Sequence, residues 1–408
     1  MNSQKYQNVK PDPYVTFVEE LMRILFLCSS HSLDDARVTR KQAVSLSKNG
    51  HEVTVCAEKR NEYEEKSVIL VDIDKLHTNA NKSIRNNENY RRLLRLCRIP
   101  VLYKYTKQTK PDLIVAHEFE TAILAYVLRK LFNISYVFDS HECYNESIKE
   151  IVPIPFKALA EKIAVFCLKI IARNAEAVTV VSQAAEIFYK KLSPQTPVEV
   201  LHNSPILEYF PYIEEETSTL IIVHEGSLGY ERGIMQILKA LSLVSKKVDF
   251  KFLILGSISK DVKQTFYEEV DRLNLKSSIE APGNLPWTEF GKVEATGQIG
   301  LICSQPIPNH MLSLSNKLYT YMACGLAVIG MKGSETEKIL NHYHCGIVVD
   351  TTKPEEIAKA IVYLTEHPEE RKRIARNGRK AIEEELGWHH MEEKVKVLYS
   401  EIAKKLKN

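Results

Sequence analysis

The first half of this 408-residue chain is nearly devoid of glycine: of 15 glycines, only Gly50 precedes Gly226. Glycine lets a backbone close on a phosphate or take positive φ. A glycine-rich phosphate cradle is therefore excluded from the N-terminal half, and any bound nucleotide should rest its phosphates on the C-terminal half. Long apolar runs are also missing. No stretch approaches the roughly 18 residues of a membrane span, and the longest, Ile163 to Ala172, is broken by Lys169. The opening MNSQKYQNVKPDPY lacks the apolar core of a signal peptide. The eight cysteines form no C-x-x-C pair, so they read as reduced core residues of a cytosolic protein, not as bridges or zinc ligands. Neither charge sign dominates. Lys+Arg 55 against Asp+Glu 52 leaves a net +3, too little to imply a nucleic-acid partner.

What is present is an ordinary soluble composition, 44% hydrophobic and 26% charged, long enough for two domains. Short β-branched runs alternate with amphipathic stretches, the pattern of parallel sheets covered by helices. Strands are expected at Arg23–Cys28, Glu52–Cys56, Val68–Val71, Asp112–Ala116, Ser135–Asp139 and Ala177–Val181, with helices at Ala36–Asn49, Phe119–Phe132 and Phe156–Asn174. The alternation restarts with strands at Leu220–His224, Phe250–Leu255, Ile299–Cys303, Leu326–Ile329 and Gly346–Val349. Helices are expected there at Gly233–Val244, Asp261–Leu273, Asn316–Ala323, Pro354–Thr365 and Glu369–Glu385. The implied layout is an extension (1–21), a first doubly wound α/β domain (22–203), a linker (204–219), a second such domain (220–386) and a last helix (387–408). Ligands bind such sheets at the carboxyl ends of the strands, so two facing domains make one cleft.

SNKLYTYMACGLAVIG, Ser315 to Gly330, resembles the donor-site signature of family-4 retaining glycosyltransferases of the GT-B fold. Other segments are similar to the family's in order: DARVTRKQAVSLSKNGHEVTV, PDLIVAHEFET, VFDSHECYNE, AVTVVSQAA, VEVLHNSP, HEGSLGYERGIMQILKAL and LGWHHMEEKVKVLYSEI. The resemblance implies two Rossmann-like domains and a C-terminal helix that crosses back to the first.

On the donor side, Arg232 precedes a helix, where a cation beside backbone amides suits a diphosphate. A solvated surface arginine is the bland alternative. Lys317 opens a helix, where a cation is normally disfavoured, so it points to a nearby anion. The resemblance adds Gly226, Ser227, Ser315, Asn316 and Leu318 to the donor site. Gly283, Asn284 and Leu285 of APGNLPW resemble the base-reading segment, or form an ordinary β–α turn. The family's two glutamates, with seven residues between them, fall at Leu312 and Thr320 in this chain; the second resembles a ribose clamp, and both carboxylates are missing. Asn309, His310 or Ser313 could supply sugar contacts instead, and His310 could equally be an exposed loop histidine.

On the acceptor side, His117, Glu118, Asp139, His141 and Glu142 lie at or just past expected strand ends. His117 resembles the family histidine near the reacting sugar; satisfied core histidines are the alternative for His117 and His141. Asp35 and Arg37 follow the first strand, where Asp35 is a substrate contact or a helix N-cap.

The implied reaction is metal-independent retaining transfer of a hexose from a uridine- or guanosine-linked sugar to a glycan or lipid-linked acceptor. His117, Arg232 and Lys317 would carry the catalysis, and no cofactor is implied beyond the donor. Asn89–Pro111 holds seven basic residues and no acid, so it reads as a contact for an anionic membrane surface or as a covering helix. Nucleic acid is not indicated. A nucleotide-sugar epimerase and a catalytically weak binding subunit are the rival readings.

Overall fold

A computed structural model describes residues 21–76, 88–141, 156–214 and 219–407. Residues 1–20 of the extension and Glu142 lie outside them. Seven strands form the first sheet: β1 (Arg23–Ser32), β2 (Glu52–Glu58), β3 (Ile69–Asp72), β4 (Leu113–Ala116), β5 (Ser135–Ser140), β6 (Ala177–Val180) and β7 (Val198–Val200). Six form the second: β8 (Leu220–Glu225), β9 (Phe250–Leu255), β10 (Ile279–Gly283), β11 (Ile299–Ile302), β12 (Ala327–Met331) and β13 (Gly346–Val349). The orders are β3-β2-β1-β4-β5-β6-β7 and β10-β9-β8-β11-β12-β13. The paired strands run parallel. Both sheets reverse direction at a switch point, between β1 and β4 and between β8 and β11, where a doubly wound sheet opens its crevice.

The central strands are apolar on both faces; β4 and β11 are buried along their whole length, as parallel strands between helical layers must be. The last helix, Trp388–Lys407, belongs to the first domain's core. Trp388, Met391, Val395, Leu398 and Ile402 pack with Ile24, Val38 and Leu46, and the Trp388 indole donates to Ser45 Oγ at 3.1 Å. The linker is anchored rather than loose: Phe210 is fully buried in the second domain's core.

Several expectations need correction. The short strands β7 and β10 were not anticipated, since three and five residues of mixed polarity carry little periodic signal. The expected helix Ala36–Asn49 is π-wound over Ala36–Ala43 before continuing as Val44–Lys48. The helix after Arg232 starts at Ile234; Gly233 stands before it at φ 76. A Cβ at Gly233 would fall 1.9 Å from the Cys303 carbonyl oxygen, so both the left-handed turn and the close approach require glycine. Glu88–Thr109 forms one helix running through Pro100. Cys97 on it is exposed rather than core, and Arg98 is buried against Asp74, Glu58 and the Ser29 carbonyl rather than free for a membrane.

Candidate functional site

The carboxyl end of β1 shows why the first domain needs no glycine there. Successive backbone amides of Ser29, Ser30 and His31 donate to the Glu118 carboxylate at 3.0, 2.9 and 3.3 Å. Glu118 also caps Phe119–Phe132 through a capping box with Thr121. The amide crevice at this switch point is thus filled by the protein's own anion. Burial resists the charge, but His31 and these amides hold the Glu118 carboxyl below its usual range.

Behind it lies a buried polar cluster. Asp139 on β5, fully inaccessible, accepts from Arg37 Nε at 3.0 Å and Nη2 at 2.6 Å, from Gln42 at 3.1 Å and from Thr179 at 2.6 Å. Burial opposes ionisation, yet the Arg37 charge and these bonds keep its carboxyl well below the ordinary value. His117 Nδ1 lies 3.0 Å from Asp139 Oδ2 and its ring stacks on Phe26; burial lowers its pKa. His117, Asp139 and His141 have a metal-like spacing. However, the Asp139 oxygens are already engaged and a guanidinium sits against them, which opposes a second cation.

Two cavities open between the domains. The larger, about 700 Å³, is lined from the second domain by Glu225, Gly226, Ser227, Arg232, Ser304, Asn309, His310, Leu312, Ser315, Asn316 and Lys317, and from the first by Arg95, His141 and Ser182. Lys317, in the first turn of helix Asn316–Cys324, is only 8% exposed. Its Nζ lies 3.2 Å from His224 Nε2. Burial first, then the Arg232 charge, lowers its pKa to about 8. The same burial, with the Lys317 charge, holds His224 neutral well below its normal value, so His224 accepts from the ammonium. Burial also lowers Arg232. Two partly desolvated cations thus face one cavity, a strong receptor for an oxyanion.

A carboxyl stands beside them. Thr320 Oγ1 donates to Glu225, and Thr320 itself is buried. Behind Glu225, Glu294 is fully buried and hydrogen-bonded to it; burial and the neighbouring charge push Glu294 well up, so Glu294 holds the pair's proton. The smaller cavity, about 260 Å³, is lined by His31, Asp35, Arg37, His141, Asn203, Ser313, Asn316 and Tyr319, among others.

The structure gathers Gly226, Ser227, Arg232, His310, Ser315, Asn316 and Lys317 around the larger cavity, and Asp35, Arg37 and His141 around the smaller. Asp35 is the helix N-cap, its Oδ1 accepting from the Arg37 and Val38 amides, and it also lines the smaller cavity. His117, Glu118 and Asp139 line neither cavity; they lie behind the surface. Leu318 is a core residue of the second domain. Gly283, Asn284 and Leu285 sit at the end of the edge strand β10 and line neither cavity. Sequence reasoning missed Glu225, Glu294 and His31. The only available signal for Glu225 was its position at the end of an expected strand, one residue before Gly226.

The glycosyltransferase family-4 model matches residues 36–204, and the glycosyl transferases group 1 model matches residues 208–381. The chain belongs to the family-4 glycosyltransferases of the GT-B fold. An uncharacterized glycosyltransferase of Methanocaldococcus jannaschii is 21% identical over 247 residues, 58% of this chain; the match spans 61% of that protein's length. Sucrose-phosphate synthase from Thermosynechococcus elongatus has the same fold, with TM-score 0.71 and 15% identity over 95% of this chain and 100% of that one. Anabaena HepE, solved with UDP-glucose, has TM-score 0.68 and 14% identity over 93% of this chain and 100% of its own.

Proposed function

We propose that this glycosyltransferase-family chain transfers a hexose from a nucleoside diphosphate sugar, with retention at the anomeric carbon, to a glycan or lipid-linked acceptor. The observation that carries the reading is a pair of cations, the half-buried Arg232 and the buried Lys317, facing a cavity of about 700 Å³ at the carboxyl edge of the second sheet. The diphosphate lies between them, and the charge that grows as the sugar leaves falls where they can stabilise it. The carbon–oxygen bond to the diphosphate breaks while the acceptor oxygen bonds to the same face of that carbon. The acceptor's hydroxyl proton passes to the departing diphosphate oxygen.

Among the described lining residues, Glu225 is the only carboxyl. Already hydrogen-bonded to Thr320 and Glu294, it suits acceptance from the donor's ribose diol, not attack on the sugar. A double displacement through a protein carboxylate therefore has no support in this cavity. Arg232 and Lys317 supply the positive charge that a metal ion would otherwise bring, and His117 acts through Asp139 rather than on the sugar.

The membrane reading extends from helix Glu88–Thr109 to the helices packed beside it. Phe156, Leu159, Ile163 and Phe166 form an exposed apolar stripe along Lys157–Asn174. Leu131 and Phe132 are exposed on the adjoining helix Phe119–Phe132, with Lys104, Lys107, Lys130, Lys162 and Arg173 also exposed in this group of helices. This combination suits an anionic lipid surface, and an acceptor held there would make the protein a peripheral enzyme. No helix among the described residues is long and apolar enough to cross a membrane. One structural neighbour, WaaG, is a glycosyltransferase of lipopolysaccharide biosynthesis, which favours surface glycan assembly.

The test is thermal stability with UDP, GDP and ADP in metal-free buffer. A nucleotide at 100 times its dissociation constant stabilises by about 2.7 kcal/mol. A shift with one of them supports the donor site and identifies the base; no shift with any would favour a binding subunit.

A further inference from the structure

His31, at the end of β1, is not used by the reaction as described, yet both of its ring nitrogens are engaged. Its Nδ1 lies 3.0 Å from Asp35 Oδ2 and its Nε2 lies 2.9 Å from His141 Nε2. The two imidazoles meet edge to face, with centroids 4.7 Å apart. Among the described residues, His141 is the one titratable residue lining both cavities, and its Nδ1 lies 3.6 Å from Asp139 Oδ2. We propose that His31 is a positioning residue whose imidazolium donates its Nε2 proton to His141, fixing the His141 ring and tautomer where an acceptor hydroxyl meets the donor sugar. The inference rests on the transferase reading.

The proton count supports it. Two Nε2 atoms at 2.9 Å must share one hydrogen. If His31 supplies it, His141 keeps its own proton on Nδ1, turned toward the Asp139 carboxylate. If His141 supplies it, a bare Nδ1 lone pair faces that carboxylate, which is repulsive. The surroundings favour the first arrangement. Burial works against the cation, but Asp35, bonded to Nδ1, then Glu118 and Asp139, outweigh it and lift His31 to about 9. His117 approaches the ring edge at 6.2 Å between centroids, and Arg37 lines the same cavity with its charge committed to Asp139. Above about pH 9 His31 loses its second proton, and His141 must switch tautomer or turn its ring.

Ring-nitrogen NMR of the full histidine-labelled chain tests the assignment without any substrate. His31 should stay doubly protonated up to about pH 9, with His141 in the Nδ1–H tautomer. H31L should mix the His141 tautomers, whereas H31Q, which keeps an N–H donor, should preserve the single form. A His141 ring protonated at Nε2 at neutral pH, or one unmoved by H31L, overturns the proposal. The functional arm uses UDP-glucose with water as the acceptor. H31L should slow UDP release about tenfold or more at unchanged UDP affinity. H31Q should recover most of the rate and lose the alkaline decline near pH 9. Equal rates in wild type and H31L, or UDP affinity falling in step with the rate, also overturn it. If wild type binds no nucleotide, the transferase reading fails, while the ring spectra still decide where the proton sits.

Discussion

Lys317 should take up a proton when a nucleotide binds. In the free protein, burial and Arg232 hold it at about 8, against an ordinary 10.5. A diphosphate between the two cations screens Arg232 and adds opposite charge, so in the complex Lys317 returns toward or above its ordinary value. The sign follows from that rise: ligand stabilisation through the ammonium is complete below pH 8 and is lost as pH climbs from 8 toward the bound value. Each pH unit in that window costs up to about 1.4 kcal/mol, or tenfold in affinity. UDP or GDP, whichever binds, should thus weaken by about two orders of magnitude between pH 8 and 10.5, after allowance for any change in stability. Calorimetry in buffers of different ionisation enthalpy should show about half a proton taken up per nucleotide at pH 8, and nearly one at pH 9. K317M should abolish the uptake and cost about 1.5–3 kcal/mol at pH 7, the worth of a hydrogen bond to a charged group. A flat affinity from pH 7 to 10 with no proton uptake would refute the placement of the diphosphate on Lys317.

Three other outcomes are expected. E225Q should weaken the bound nucleotide about 10- to 100-fold but leave a 2′,3′-dideoxy analogue unaffected, and E225T/T320E should recover part of the loss; equal effects on both ligands would remove Glu225 from the ribose. D139N leaves Arg37 buried without its carboxylate and should cost about 3–5 kcal/mol in urea unfolding; a loss under about 1 kcal/mol would mean that the cluster is not structural. L159S/I163S/F166S should reduce flotation with phosphatidylglycerol vesicles without changing nucleotide binding, and undiminished flotation would discard that surface.

The architecture was legible because both halves alternate strongly and because the glycine distribution is so lopsided. The Glu118 carboxylate in the β1 amides is the physical counterpart of that absence. Arg232 and Lys317 were legible because a cation at a helix start is a local anomaly. Burial was not legible. Nothing local separates His117 and Asp139, which lie behind the cavity wall, from His141, which forms part of it; the distinction depends on how β4 and β5 pack under Ala36–Ala43. The Glu225–Thr320 contact joins residues 95 apart. The sequence shows a missing carboxylate at one position, but only the fold reveals another standing against it.

The chain passes between the domains twice, and the two passages are tied together: the Trp388 amide donates to the Pro205 carbonyl at 3.2 Å. One passage alone would join the domains by a single thread of chain. Two passages bonded to each other make a doubled joint, and Tyr319 bonded to His202 at 3.0 Å adds a side-chain tie across the same boundary. Any relative turn of the domains about that joint would displace the far rim of the cleft most and the residues beside the joint least.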